Sequence, residues 1–168
     1  TPVISYGQIH SKLNIGTGIN ESLLRFVDES YLRTNKNSLV YFNDFIFADT
    51  SEDLDGVGNC VYIDTNETIF AGYHSIIIKP ISEKSRNKYF AYLFLTDYWR
   101  SQLRSKVSGV KVYSITQKLL RETNVIVPTI TEQTLIAKFL DEQCGKIDSI
   151  IFNLEKQIEI LGQYKKSL

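Results

Sequence analysis

Methionine is absent from this 168-residue chain, which opens Thr1-Pro2-Val3, and the missing initiator points to a chain cut from something longer or lacking its start. Cysteine is scarce. Cys60 and Cys144 stand far apart, with no C-x-x-C pair and no histidine nearby, so neither a disulfide framework nor a zinc site is signalled and a reducing, cytoplasmic compartment is expected. No apolar run approaches the ~20 residues of a membrane span, and the N-terminus lacks the basic-then-apolar pattern of a secretion signal. An excess of one charge is lacking too: 19 basic side chains balance 19 acidic ones, which excludes a histone-like polycation or an acidic tail.

Catalytic patterns are equally thin. The three prolines, Pro2, Pro80 and Pro128, are never adjacent, which removes the Asn/Asp-Pro-Pro-aromatic loop an adenine methyltransferase needs. Gly16-Thr17-Gly18 and Gly56-Val57-Gly58 are lone G-x-G pieces without the third glycine of a nucleotide loop, and read as turns. No acid is followed two residues on by lysine, as the common metal-dependent nuclease step requires. Asp49, Glu52, Asp53 and Asp55 lack EF-hand spacing and read as a solvated hairpin tip. His10 and His74 have no serine or cysteine elbow beside them. No catalytic residue, metal or cofactor is therefore expected.

What is present divides at Pro128. Beyond it, Thr129-Ile130-Thr131-Glu132 has the form of a capping box that starts a helix. Ala137, Leu140, Cys144, Ile147, Ile151, Leu154, Ile158 and Leu161 then recur at alternating steps of three and four, a heptad seam that asks for a partner helix. A 40-residue stretch of this kind would make a rod of roughly 50 to 60 Å, weakened locally by Gly145 and Gly162. The plainer alternative is a helix docked lengthwise on its own globular part. Before Pro128, β-branched and aromatic runs at 3–6, 39–42, 45–48, 61–63, 68–71, 75–79 and 124–127 predict a curved, mainly antiparallel sheet. One strong helix is expected over 85–106 and a shorter one over 28–33. The fold class is α+β with a packed helix, organised as 1–128 followed by a coiled-coil-forming helix over 129–168.

The charge balance hides an asymmetry. Residues 1–78 hold 4 Lys/Arg against 10 Asp/Glu, whereas residues 79–121 hold 10 against 2. A cluster of that density suits a polyanion, unless those cations pair with the acidic first half across the fold. In Arg104-Ser105-Lys106-Val107-Ser108-Gly109-Val110-Lys111-Val112-Tyr113-Ser114 cations alternate with hydroxyls around a glycine. Lysine and arginine neutralise phosphates, serine reaches backbone or base edges, and Tyr113 offers a flat face with a polar tip. Gln8 and His10, close to Tyr6, are planar polar groups able to read base edges.

These features resemble the DNA-sequence specificity subunit of type I restriction-modification systems. Pro2-Val3-Ile4-Ser5-Tyr6-Gly7-Gln8-Ile9-His10 is similar to the opening strand and loop of its target recognition domain, and Asn43-Asp44-Phe45-Ile46-Phe47-Ala48 to its central strand. Ile69-Phe70-Ala71-Gly72-Tyr73-His74 is similar to the next strand pair. Val127-Pro128, Glu132-Gln133, Ile136-Ala137, Phe139-Leu140 and Ile147-Asp148 resemble the start of the spacer helix. The resemblance implies a non-catalytic recognition unit that reads one half of a bipartite duplex target, with methylation and cleavage brought by modification and restriction subunits. Family members usually carry two recognition domains and two spacer helices, and this chain has one of each. A second copy or second half, paired through Leu140, Cys144, Ile147, Ile151, Leu154, Ile158 and Leu161, is the expected partner. The residues expected at DNA are Gln8, His10, Lys12, Tyr73, His74, Arg104, Lys106, Ser108, Gly109, Lys111 and Tyr113. The rival readings are the recognition domain of a stand-alone adenine methyltransferase and a coiled-coil adaptor that binds protein.

Overall fold

The computed structural model describes every residue except Arg86, Val110 and Leu168, and only the backbone of Ser167. Arg86 of the basic cluster, Val110 of the 104–114 loop and the last residue of the expected C-terminal helix thus lie outside the described residues. In chain order the elements are β1 (Pro2–Ile4), α1 (Tyr6–Ile9), β2 (Arg25–Phe26), α2 (Tyr31–Thr34), β3 (Leu39–Val40), β4 (Phe45–Ala48), β5 (Thr50–Ser51) and β6 (Cys60–Tyr62). They continue with β7 (Ile69–Ala71), β8 (Ser75–Ile78), α3 (Tyr89–Leu95), α4 (Asp97–Arg104), β9 (Tyr113–Ser114), α5 (Gln117–Arg121) and α6 (Ile130–Ser167).

The α+β class and the long C-terminal helix are those the sequence predicts. The strands form three short sheets, ordered β2-β1-β7-β3, β6-β4-β8 and β5-β9, and every pairing is antiparallel except β1 with β7.

β4 shows why its residues are so apolar. It is the central strand of its sheet and both of its faces are buried, so successive side chains serve different cores. Phe45 and Phe47 join Cys60, Tyr62, Phe94 and Trp99 on one side. Ile46 and Ala48 join Ile4, Ile9, Val40, Val61 and Ile69 on the other. The turn into β4 is set by Asn43 in the left-handed region at φ 73° and by Asp44, whose carboxylate accepts the Tyr41 N–H at 3.0 Å.

Two expectations need correction. The helix over 85–106 is two helices, because Thr96 leaves helical geometry at ψ 147° and its hydroxyl accepts the Trp99 N–H as the N-cap of α4. That bend carries Trp99 and Leu103 into the core, where Trp99 is 1% exposed and lies 4.6 Å from the Phe94 ring. Residues 124–127 form no strand. Their backbone is pinned by side chains instead: Gln102 brackets Asn124 through both its N–H and its carbonyl, and the Tyr89 hydroxyl donates to the Ile126 carbonyl at 3.0 Å.

The capping box at 129–132 closes in both directions, with Thr129 N–H on the Glu132 carboxylate at 2.9 Å and Glu132 N–H on the Thr129 hydroxyl at 3.3 Å. The Thr129 hydroxyl, which donates to the same carboxylate at 2.7 Å, and then the Thr129 N–H hold the Glu132 carboxyl below its usual range. From there α6 roots itself on α3 over about three turns. Gln133, fully buried, donates to the Pro128 carbonyl at 2.8 Å and accepts from Asn87. Ala137 enters the aromatic cluster, and Asp141 takes the Tyr92 hydroxyl at 2.6 Å and Lys88 at 2.8 Å. Burial and the Asp141 carboxylate both push the Tyr92 hydroxyl well above the tyrosine range. Further along, the helix leaves the globular part: Ile147, Ile151, Leu154, Ile158 and Leu161 are between 48% and 70% exposed, so lengthwise docking does not occur.

Candidate nucleic-acid interface

The interface begins where β4 ends and β8 starts. Asp49, directly after β4, accepts from or pairs with His74 Nδ1 at 3.2 Å, and its N–H donates to the His74 carbonyl. His74 is exposed and sits in the left-handed region at φ 54°, a conformation histidine adopts more readily than bulkier or branched residues. It turns the preceding Tyr73 outward, to 72% exposure. The Tyr73 and His74 rings meet edge to face at 5.7 Å, Tyr6 approaches His74 at 6.3 Å, and Tyr6 lies on His10 at 4.5 Å. Residues 6, 10, 73 and 74 thus make one row of rings.

His10 is held on both sides, by the Thr50 carbonyl at 2.9 Å from Nε2 and the Asn59 amide at 3.3 Å from Nδ1. A carbonyl can only accept, so Nε2 donates to it, and the two contacts make the ring a fixed member of the row. Gln8 caps α1, accepting the Ser5 N–H at 3.0 Å through Oε1, and its amide nitrogen remains available. Lys12 is exposed on the rim of an open cleft of about 440 Å³ that also holds Glu52, Asp53 and Asp55. Burial, followed by the nearby Glu52, Asp53 and Asp49 carboxylates, raises the Tyr6 hydroxyl above its usual value.

The 104–114 segment is brought to this row by strand pairing. β9 lies antiparallel on β5, with Ser114 opposite Thr50 and Tyr113 opposite Ser51, and the Ile115 N–H donates to the Asp49 carbonyl at 2.7 Å. Ser108, Gly109 and Lys111 are exposed and Tyr113 is half-buried. Gly109 is required by the turn itself, since a Cβ there would overlap the Val112 carbonyl. The Lys111 ammonium makes no hydrogen bond or ion pair among the described residues, and neither does that of Lys118, the second residue of the following α5.

The other two cations of the segment are already engaged. Arg104 donates to the carbonyls of Leu54 and Asp55 at 2.9 and 3.3 Å and pairs with Asp97, tying the acidic tip to α4. Lys106 pairs with Glu122 at 3.5 Å. Pairing of the basic segment with the chain's own acids is therefore partial, and Lys79 with Asp44 at 3.9 Å is the one such ion pair reaching the acidic first half among the described residues. The structure thus brings His10 and Tyr113 against β5, joins Tyr73 and His74 to His10 through Tyr6, and sets Lys12 on the neighbouring cleft. Gln8 stays at the start of α1, Ser108, Gly109 and Lys111 on the exposed segment leading to β9, and Arg104 and Lys106 on the α4 side. Tyr6, which the sequence marks only as a neighbour of Gln8 and His10, joins the same row. The signal for Tyr6 was its helical spacing of four from His10.

A sequence model of the type I restriction modification DNA specificity domain matches residues 2–160, nearly the whole chain. The chain belongs to this family. Among curated proteins, the specificity domain is similar to the type I restriction enzyme EcoBI specificity subunit of Escherichia coli, 27% identical over 110 residues that cover 62% of this chain and 23% of that protein. It is also similar to the putative type I restriction enzyme MjaX specificity subunit of Methanocaldococcus jannaschii, 27% identical over 110 residues covering 64% of this chain and 25% of that one. The specificity domain therefore spans about a quarter of the length of the curated relatives it matches. None of its helices, among the described residues, is long and apolar enough to cross a membrane, and no group of three or more histidine, cysteine or acidic side chains among them is placed to hold a metal ion.

Proposed function

We propose that this chain reads one half of a bipartite DNA target without catalysing a reaction itself, residues 1–128 gripping the duplex and residues 129–168 setting the distance to a second reader. The observation that carries this reading is the free length of α6. A helix of 38 residues is about 57 Å long, and only its first turns are rooted on α3. Ile147, Ile151, Leu154, Ile158 and Leu161 all lie beyond the turns that α3 covers and are exposed. A second helix can therefore lie along the seam without displacing α3. Leaving that stripe in water forgoes roughly 25 cal/mol for each Å² of apolar surface that pairing would bury. Two copies paired antiparallel would hold two ring rows at the two ends of one rod, the spacing logic of dimeric DNA readers.

At the duplex, Lys111 and Lys118 meet phosphates, Lys12 flanks them, and Tyr73, His74, Gln8, Ser108 and Tyr113 approach base edges. The carboxylates beside the row accept from the cytosine amino group and repel misplaced phosphates, which favours direct readout over non-specific grip. Modification and restriction subunits are the proposed further partners, and the cytoplasm the proposed compartment. The test is selection of bound sites from a randomised duplex pool, followed by binding at low and moderate salt. An enriched half-site whose affinity falls steeply with ionic strength supports the reading. Equal retention of all sequences, or salt-independent retention, overturns it.

A further inference from the structure

A cleft of about 610 Å³ opens beside the ring row, shares Tyr73 with it and is lined by Gln8 as well. Its other walls come from β2 and α2. Phe26 is 74% exposed and Tyr31 50% exposed, and neither ring touches another aromatic ring among the described residues. Arg25, also on the wall, donates from one guanidinium nitrogen to the Leu24 and Ser22 carbonyls at 3.1 and 3.5 Å and meets no carboxylate among the described residues, although residues 1–78 carry the chain's acidic surplus. Asn35 and the free amide nitrogen of Gln8 add hydrogen-bonding groups of both kinds.

Two aromatic rings without ring partners, the exposed Tyr73 beside them, planar amides and a cation that meets no carboxylate, in one cleft of ligand size, match one ligand chemistry. We propose that this cleft binds a nucleotide, its base against Phe26 and Tyr31 and its phosphate toward Arg25. The base finds stacking surface that every nucleobase can use, the amides reach its edge, and the guanidinium meets the phosphate. The nucleotide has two possible sources: one unstacked from the bound duplex, reached across Tyr73, or one free in solution. The first rests on the DNA reading above and the second does not.

The experiment has two arms on the full chain. In the first, the four deoxynucleoside 5′-monophosphates are titrated into isotope-labelled protein by NMR. Shifts at residues 25–35 and 70–73, weakened about tenfold by Phe26→Ala or Tyr31→Ala as stacking losses imply, support the site. Arg25→Gln should weaken the monophosphates and leave the nucleosides unchanged. In the second arm, duplexes of the selected sequence carry 2-aminopurine at successive positions. A fluorescence rise at one position, abolished by Phe26→Ala while duplex affinity stays within about threefold, assigns the nucleotide to the DNA; shifts in the first arm with a dark second arm assign it to solution. Thermal melting of each variant checks that β2 and α2 remain folded. No shifts and no fluorescence rise, with duplex still bound, overturn the proposal. Loss of duplex binding by the wild-type chain sinks the DNA reading instead, and the monophosphate titration then decides the cleft alone.

Discussion

Gln133 is the residue on which the angle of the rod depends most directly. Its side chain is fully buried, and it satisfies the Pro128 carbonyl and the Asn87 amide at the point where α6 meets the globular part. Gln133→Ala removes both contacts and leaves those two part-buried groups without their protein partners. Each orphaned group costs about 1–3 kcal/mol, so a total of roughly 2–4 kcal/mol is expected after partial relaxation. Trp99, the chain's one tryptophan, is 1% exposed in the aromatic cluster that Ala137 joins, and reports unfolding by fluorescence in urea. The midpoint should fall with little change in slope. Asp141→Asn is the control: its ion pair with Lys88 is partly solvated and worth no more than about 1 kcal/mol, and an asparagine carbonyl can still accept the Tyr92 hydroxyl. A Gln133→Ala chain within about 0.5 kcal/mol of wild type, or one no less stable than Asp141→Asn, would refute the assignment of Gln133 as the anchor.

Other perturbations separate the remaining parts of the argument. Ile151→Asp with Leu154→Asp places charge in the exposed seam, and sedimentation should show a dimeric wild type becoming monomeric while the Trp99 unfolding midpoint stays put. Lys111→Ala should weaken binding to every duplex and lower the salt slope by about one, measured by mobility shift over a range of salt. An aromatic thiol reagent should titrate one cysteine in the folded chain, exposed Cys144, and both in urea. Burial pushes the Cys60 thiol up to about 12 from 9.0. Above pH 9 the unfolded chain therefore loses a proton that the folded chain keeps, and stability should fall by about 1.4 kcal/mol per pH unit toward 12. Cys60→Ala should remove that part of the slope, read from urea midpoints between pH 8 and 10.5.

Much of the fold was legible from local pattern. The run Phe45-Ile46-Phe47-Ala48 reads as a strand because β-favouring residues follow a turn pair, Asn43-Asp44, and the strand is there with those bounds. Thr129-Ile130-Thr131-Glu132 reads as a helix start because the capping groups are three residues apart. Thr96 was less visible: its hydroxyl caps α4, yet Leu95 and Tyr98 on either side continue a helical apolar pattern. Val125-Ile126-Val127 looked like a strand because its composition is one, and no partner strand is placed beside it.

Taken alone, the amino-acid order determined where the rod begins, which face of it is apolar and where the cations and rings are concentrated, since capping, heptad periodicity and charge counts depend only on neighbours along the chain. Tertiary structure alone decided which of those groups are available. Arg104 and Lys106 look like Lys111 in the sequence, but carbonyls and an acid from other segments reach the first two, and none among the described residues reaches the third. The ring row, the Phe26–Tyr31 cleft and the buried Gln133 likewise arise from contacts across tens of residues, and hydrogen bonds of that kind leave no periodic trace in a sequence.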